Sequence, residues 1–313
     1  MYDHTQKILL GDFPQKIHVR FSDPDAPILL VLHGGPGMAN RHSLMTQHSD
    51  LARDFVLVAW DQRGCAGSYA GVDPATLSVE RLVEDANELV HWLCEQFGQE
   101  KVTILGGSWG SQLGTLLAYR HPQHIAAYVG TGQVVDGVEN ERISWKFTVA
   151  EAKRTGDTKA LQTLYRIGPP AAGQYRGGLS GLVAQRQLLA RFGGSTRAGS
   201  SLFWSYVWPP LSSREYSPAD IWGYLRGYRL VLGTMWPELT AYDLRREARQ
   251  FALPFYIFQG RHDQNTPAEL VEQYFAVLEA PHKELIWFEQ SAHSPLSDEP
   301  ERFKRLLREK LLN

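Results

Sequence analysis

Cysteine is nearly absent from this chain: only Cys65 and Cys94 occur among 313 residues. Two thiols cannot build a disulfide framework at this length, and they read as reduced side chains of a cytoplasmic protein. Equally missing is an apolar run of the roughly 18–20 residues that spans a bilayer. The N-terminus, Met1-Tyr2-Asp3-His4, has no basic stretch leading into an apolar one, so no secretory leader is expected. An excess of either charge is missing too: 32 Lys and Arg stand against 34 Asp and Glu, a formal net charge of -2. That balance excludes the basic field that nucleic-acid phosphates demand, and no polybasic run is available for acidic lipid. Neither His-x-x-x-His nor Cys-x-x-Cys spacing occurs, so no metal or other cofactor is expected.

What is present is a chain long enough to bury a large core. Short β-rich runs at 16–21, 27–33, 54–60, 101–105 and 125–130 alternate with helical stretches. The run Ile28-Leu29-Leu30-Val31-Leu32 is apolar without alternation, as a strand covered on both faces would be. Ser78 can cap a helix in which Leu82, Ala86, Leu89, Leu93 and Phe97 recur at helical spacing before Gly98 stops it. Strand–helix alternation predicts an α/β fold with a mostly parallel sheet flanked by helices. The pattern changes at about residue 134. From there to 250 the chain is helical and holds five of the nine tryptophans: Trp145, Trp204, Trp208, Trp222 and Trp236. Buried strands return at 254–259 and 284–289, and a last helix closes the chain. The expectation is a core domain of residues 1–133 and 251–313 with an inserted helical cap, or lid, at 134–250. Within the lid, the Gly/Ser stretch at 193–201 is expected to be mobile, because it has little to bury.

Three segments carry chemistry. Gly106-Gly107-Ser108-Trp109-Gly110 fits the G-x-S-x-G nucleophile elbow, with a strand before it and a helix after it. Small residues at 106 and 110 let the two backbones approach, and the sharp turn lifts the Ser108 hydroxyl above the sheet. A serine hydroxyl needs a base, and this architecture orders its residues Ser, acid, His along the chain. Asp263 and His293 each follow one of the late strands, at the carboxyl ends where ligands bind open α/β sheets. Asp263 would orient the imidazole, with Asp136 as the alternative acid and His262 as a bystander. The third segment, His33-Gly34-Gly35-Pro36-Gly37, can complete an oxyanion hole. Its donors would be the N–H groups of Trp109 and Gly35, since Pro36 has none. His33 would tie the loop down.

These segments, with Trp60-Asp61-Gln62-Arg63-Gly64 and Gly260-Arg261-His262-Asp263, together resemble the proline iminopeptidase family of α/β-hydrolase-fold serine peptidases. The resemblance implies a capped hydrolase with Ser108, Asp263 and His293 in the catalytic roles. It also implies a cis Gly35–Pro36 bond, and structural roles for Asp61 and Arg63. Two departures stand out. Cys65-Ala66-Gly67-Ser68 has its glycine one place late for the family, and the family's Glu-Asn-His-Tyr-Phe-like cap segment is missing from 134–250. The acids left in the cap include Glu139, Glu141, Glu215 and Glu238. Glu238, followed by Glu139, is the choice to meet a substrate ammonium.

The reading is therefore a serine hydrolase acting through an acyl-enzyme on Ser108. It is an aminopeptidase that releases an N-terminal residue, proline preferred, from small peptides or amides. The alternative is a carboxylesterase or amidase for a small apolar acyl substrate. A binding protein on the same fold would have lost part of the Ser–Asp–His set, and a dehalogenase or epoxide hydrolase would need Asp at position 108. The expected partner is a small-molecule or short-peptide substrate, without nucleic acid or membrane.

Overall fold

A computed structural model describes residues 1–196, 204 and 208–312. Eight strands form one sheet: β1 (Tyr2–Leu10), β2 (Phe13–Phe21), β3 (Ile28–Leu32), β4 (Val56–Asp61), β5 (Val102–Gly107), β6 (Ile125–Thr131), β7 (Phe255–Gly260) and β8 (Lys283–Phe288). Their order is β1-β2-β4-β3-β5-β6-β7-β8. The pairs from β4 through β8 are parallel, and β1 and β2 are antiparallel additions at one edge. Strands β3 and β4 are buried at every position, which is why their sequences run apolar without alternation.

Strand β1 was not foreseen. It is a polar edge strand whose buried apolar side chains are only Ile8 and Leu10, so it carries no hydrophobic signal. A tight turn with positive φ at both Gly11 and Asp12 closes its hairpin with β2.

Helices α1 (Arg41–Gln47), α2 (Val79–Phe97) and α3 (Trp109–Arg120) follow β3, β4 and β5. The Ser78 hydroxyl accepts the Arg81 N–H at 3.1 Å and Gly98 ends α2 at a φ of 63°, as the sequence predicts. The apolar stripe of α2 packs with α3 on one face of the sheet. Each leucine buried there stabilises the fold by about 1.5–3 kcal/mol relative to exposure. The helical insertion lies between β6 and β7. It contains α4 (Gly137–Arg154), α5 (Thr158–Ile167), α6 (Leu179–Arg191), α7 (Trp208–Ser212), α8 (Pro218–Thr240) and α9 (Leu244–Glu247). Helix α10 (Ala268–Val277) joins β7 to β8. After β8, α11 (Pro295–Asp298) precedes α12 (Pro300–Leu311), whose Phe303 and Leu307 cover the other face of the sheet. Among the described residues no helix is long and apolar enough to cross a membrane.

The insertion has two parts. Helices α4, α5 and α6 share a small apolar cluster around Val149, Leu164 and Leu182, to which α8 adds Leu232. Helix α8 also sends Val231, Met235 and Leu239 into the main core, so it joins the two clusters. Its backbone can approach because Gly223 and Gly227 lack side chains: a Cβ there would lie 2.1 Å from the Ala66 carbonyl oxygen and 2.3 Å from that of Gly64. Asp220 at its start pairs with Lys16 at 2.6 Å and Arg41 at 3.1 Å.

Candidate active site

Ser108 sits between β5 and α3 at φ 55° and ψ −123°, a region that a non-glycine residue occupies only under constraint. The constraint comes from its neighbours. A Cβ at Gly106 would stand 2.3 Å from the Gly110 carbonyl oxygen, and one at Gly110 would stand 2.0 Å from that of Leu32. Only glycine at both places lets the strand and helix fold back so tightly. The Ser108 N–H donates to Thr131 at 2.9 Å, and its carbonyl accepts from the amide and hydroxyl of Ser111. The turn therefore presents Ser108 at the N-terminus of α3, where developing negative charge is favoured.

The loop after β3 faces it. A Cβ on Gly34 would lie 3.0 Å from the Ser108 Cβ, so any larger residue at 34 would press on the hydroxyl-bearing carbon. Gly35 has a φ of 112°, and the Gly35–Pro36 bond is cis, as the family resemblance implied. Gln62 ties the loop to the elbow. Its side-chain N–H donates to the His33 carbonyl at 3.1 Å, and its side-chain oxygen accepts the Trp109 indole N–H at 2.9 Å. The Gln62 backbone N–H donates to His33 Nε2 at 3.2 Å, leaving the Nδ1–H to donate to the Gly34 carbonyl at 2.9 Å. Burial pushes the His33 imidazole down to about 4, so it is neutral and keeps the lone pair that Gln62 needs. Sequence reasoning missed Gln62. Its position inside the Asp-Gln-Arg-Gly segment was the available signal.

Asp263 and His293 meet in the loops that follow β7 and β8. His293 Nδ1 lies 2.9 Å from Asp263 Oδ2. Asp263 is fully buried and receives four further hydrogen bonds. The amides of Asn265 and Thr266 donate to Oδ1 at 2.8 and 2.9 Å; the Thr266 hydroxyl and Gln259 side chain donate to Oδ2 at 2.6 and 3.0 Å. Gly260 explains how the two loops come so close: a Cβ there would sit 1.8 Å from the Ala292 carbonyl oxygen. The corner Thr131-Gly132 touches both halves of the site. Thr131 accepts the Ser108 N–H, and a Cβ on Gly132 would lie 2.8 Å from the His293 Cε1. His262 is exposed and bonds the Glu289 carbonyl.

Residues 27–300 match the family described as alpha/beta hydrolase fold. The chain belongs to the alpha/beta hydrolase fold family. It is 28% identical over 305 residues to the Bacillus subtilis (strain 168) protein named probable aminopeptidase YbaC, covering 96% of this chain and 94% of that one. To the proline iminopeptidase of Heyndrickxia coagulans it is 24% identical over 280 residues, covering 88% and 87%. Among solved structures, the proline iminopeptidase-related protein of Thermus thermophilus matches with a TM-score of 0.67 at 21% identity, over 100% of this chain and 98% of that one. A Bacillus megaterium epoxide hydrolase matches with a TM-score of 0.59 at 18% identity, over 98% and 100%. Different chemistries thus share this fold, and the site must distinguish them.

In this alpha/beta hydrolase several residues singled out from sequence have other partners. Asp136 caps α4 by accepting the Glu139 N–H at 3.0 Å and pairs with Arg245, so its carboxylate is engaged at the base of the insertion. Glu238 accepts the Val79 N–H at 3.0 Å, capping α2 from across the interface. Glu139 pairs with Arg142 one turn along α4 at the surface. Glu215 lies 3.4 Å from His18 and 3.7 Å from Arg20. Arg63 grips Asp85 at 2.6 Å and the Leu10 carbonyl at 2.9 Å, while Asp61 holds Arg41 and the Gly67 amide. Arg63 thus ties the β1–β2 turn to α2, and Asp61 ties the loop after β4 to α1.

Glu141 is different. It is 1% exposed; its Oε1 meets Arg186 and the Asn140 amide, and its Oε2 has no hydrogen-bond partner among the described residues. The Asn140 amide also donates to the Asn265 carbonyl at 2.7 Å, in the loop that carries Asp263. The Asn140 and Asn265 side-chain oxygens likewise lack partners among the described residues. Of the stretch at 193–201, residues 197–201 lie outside the described residues. Gly194 and Ser195 are packed, their carbonyls accepting the amides of Gln264 at 2.8 Å and His293 at 3.2 Å. These two residues belong to the wall of the site, contrary to the expectation of a loose segment.

Proposed function

We propose that this alpha/beta hydrolase is a serine aminopeptidase that releases an N-terminal residue, proline preferred, from small peptides or amides. Ser108 Oγ attacks the scissile carbonyl while His293 Nε2 takes its proton. Asp263 holds the imidazole in the tautomer with hydrogen on Nδ1 and stabilises the imidazolium. The N–H groups of Gly35 and Trp109 receive the oxyanion of the tetrahedral intermediate. His293 then gives its proton to the leaving amine. Water, activated by the same imidazole, releases the acyl group from Ser108.

The observation that carries the peptidase reading is Glu141. Arg186 already balances the charge on Oε1, but a buried carboxylate oxygen without a donor is costly, and a substrate ammonium would supply the hydrogen bond that Oε2 lacks among the described residues. Glu141 takes the amine-binding role in preference to Glu238, which caps α2, and Glu139, which pairs with Arg142 at the surface, because its buried Oε2 lacks a donor among the described residues while Arg186 and Asn140 hold its Oε1. The names of the relatives in Bacillus subtilis and Heyndrickxia coagulans support the same reading.

The test is the ratio of rates on proline p-nitroanilide and its N-acetylated form. An aminopeptidase cleaves the free amide and neglects the acetylated one, and Glu141→Gln lowers activity on the free amide alone. Equal rates on both, or activity on the acetylated form only, would replace this reading with an esterase or amidase for a small apolar acyl group.

A further inference from the structure

Thr266 lies three residues beyond Asp263, in the loop between β7 and α10, and is 3% exposed. Its backbone N–H donates to Asp263 Oδ1 at 2.9 Å and its hydroxyl to Oδ2 at 2.6 Å. The same hydroxyl oxygen is 3.2 Å from His293 Nδ1. The other donors hold one oxygen each: the Asn265 amide takes Oδ1, and the Gln259 side chain takes Oδ2. Thr266 is thus the residue, among those described, that bonds both carboxylate oxygens and also reaches the imidazole.

A carboxylate turns easily about its last torsion, because an sp³–sp² bond has only a broad preference. Bonds to both oxygens remove that freedom. The Nδ1–H of His293 must find Oδ2 in the plane of the ring, or the imidazole loses the orientation that aims Nε2 at Ser108. Gln259 supports the arrangement from behind by donating to the Thr266 carbonyl at 3.1 Å.

We propose that Thr266 is a positioning residue: its hydroxyl sets the plane of the Asp263 carboxylate and, through it, the plane of the His293 ring. This rests on the serine-hydrolase reading above. The hydroxyl is buried against Asp263 and His293, so its effect falls on the rate of acyl transfer and not on binding.

Thr266→Val, Thr266→Ala and Thr266→Ser, assayed with a short p-nitrophenyl ester beside Ser108→Ala, test the proposal. Removing a hydrogen bond to a charged group predicts a fall in kcat of about tenfold to a hundredfold in the Val and Ala variants, with KM unchanged. Thr266→Ser keeps the hydroxyl and restores most of the rate. The low-field proton resonance of the His293 Nδ1–H moves in the Val and Ala variants and stays in place in Thr266→Ser. If Val does not fold at this buried site, Ala and Ser carry the comparison. Equal losses in all folded variants, or full kcat without the hydroxyl, overturn the proposal. Turnover that survives Ser108→Ala would instead overturn the serine-hydrolase reading beneath it.

Discussion

Gln62 accepts the indole N–H of Trp109 at 2.9 Å, joining the residue after Ser108 to the loop that faces it. One amide side chain thus links the residue and the loop that carry the two N–H groups proposed for the oxyanion, since Gln62 also donates to the His33 carbonyl. Gln62→Leu keeps the bulk and removes both bonds. Deleting an oxyanion donor outright costs about a hundredfold to a thousandfold in kcat, so loosening both through Gln62 should cost about tenfold or more. Steady-state kinetics with an unchanged melting temperature check this; an unaltered kcat would remove Gln62 from the oxyanion assembly.

Asp263→Asn should cut kcat by about 10⁴ while leaving the fold intact, because the amide favours the wrong imidazole tautomer. Asp136→Ala should act on stability instead, since Asp136 caps α4 and pairs with Arg245. Its expected cost is about 1 kcal/mol, read by denaturant melts. The reverse pattern would transfer the orienting role to Asp136.

The elements visible in the sequence are those whose cause is local. Gly106 and Gly110 are forced by backbone collisions within the elbow and with β3, and β3 and β4 announce themselves by uninterrupted apolar runs. Ser78 and Gly98 mark the ends of α2 for the same reason. What was hidden depends on partners distant in sequence. Strand β1 owes its place to pairing with β2 along its whole length, not to a hydrophobic face. Glu141 belongs with Ser144 and Thr148 to a buried polar stripe of α4, and such a stripe reads from sequence as a solvent face. Glu238 stood out by its place near the return to the core, but its carboxylate answers an unpaired amide at the start of α2.

Helix α8 offers a paired test with opposite signs. A Cβ at Gly227 would meet the Gly64 carbonyl oxygen at 2.3 Å, whereas one at Gly233 meets nothing within 4 Å. Gly227→Ala should push α8 off the core and destabilise the protein by about 1–3 kcal/mol. Gly233→Ala should stabilise it by about 0.5–1 kcal/mol through helix propensity. Thermal melts that rank the two the other way would contradict the packing of α8.

Three histidines withdrawn from water fix the acid side of the stability profile. Burial pushes His33, His42 and His48 each down to about 4, with Arg41 adding to the effect at His42 and Lys304 at His48. In the unfolded chain these side chains take up protons near ~6.5. Between those values the unfolded state holds more protons than the folded one, so stability falls as pH drops from about 6.5 to about 4. Each group contributes on the order of 2–3 kcal/mol across that window. Denaturant titrations at pH 7 and pH 5 should show the loss, and His48→Gln, remote from the site, should reduce it. A stability that is flat over this range would contradict the neutral state of the three imidazoles.

The assignment of Ser108 as nucleophile is tested most directly by covalent labelling. The enzyme is treated with a fluorophosphonate, digested, and the modified peptide sequenced by mass spectrometry. The adduct should lie on Ser108 within Gly106-Gly107-Ser108-Trp109-Gly110, and its formation should be abolished in Ser108→Ala and strongly slowed in a His293→Ala variant. An adduct on any other residue, or labelling that persists in Ser108→Ala, would contradict it.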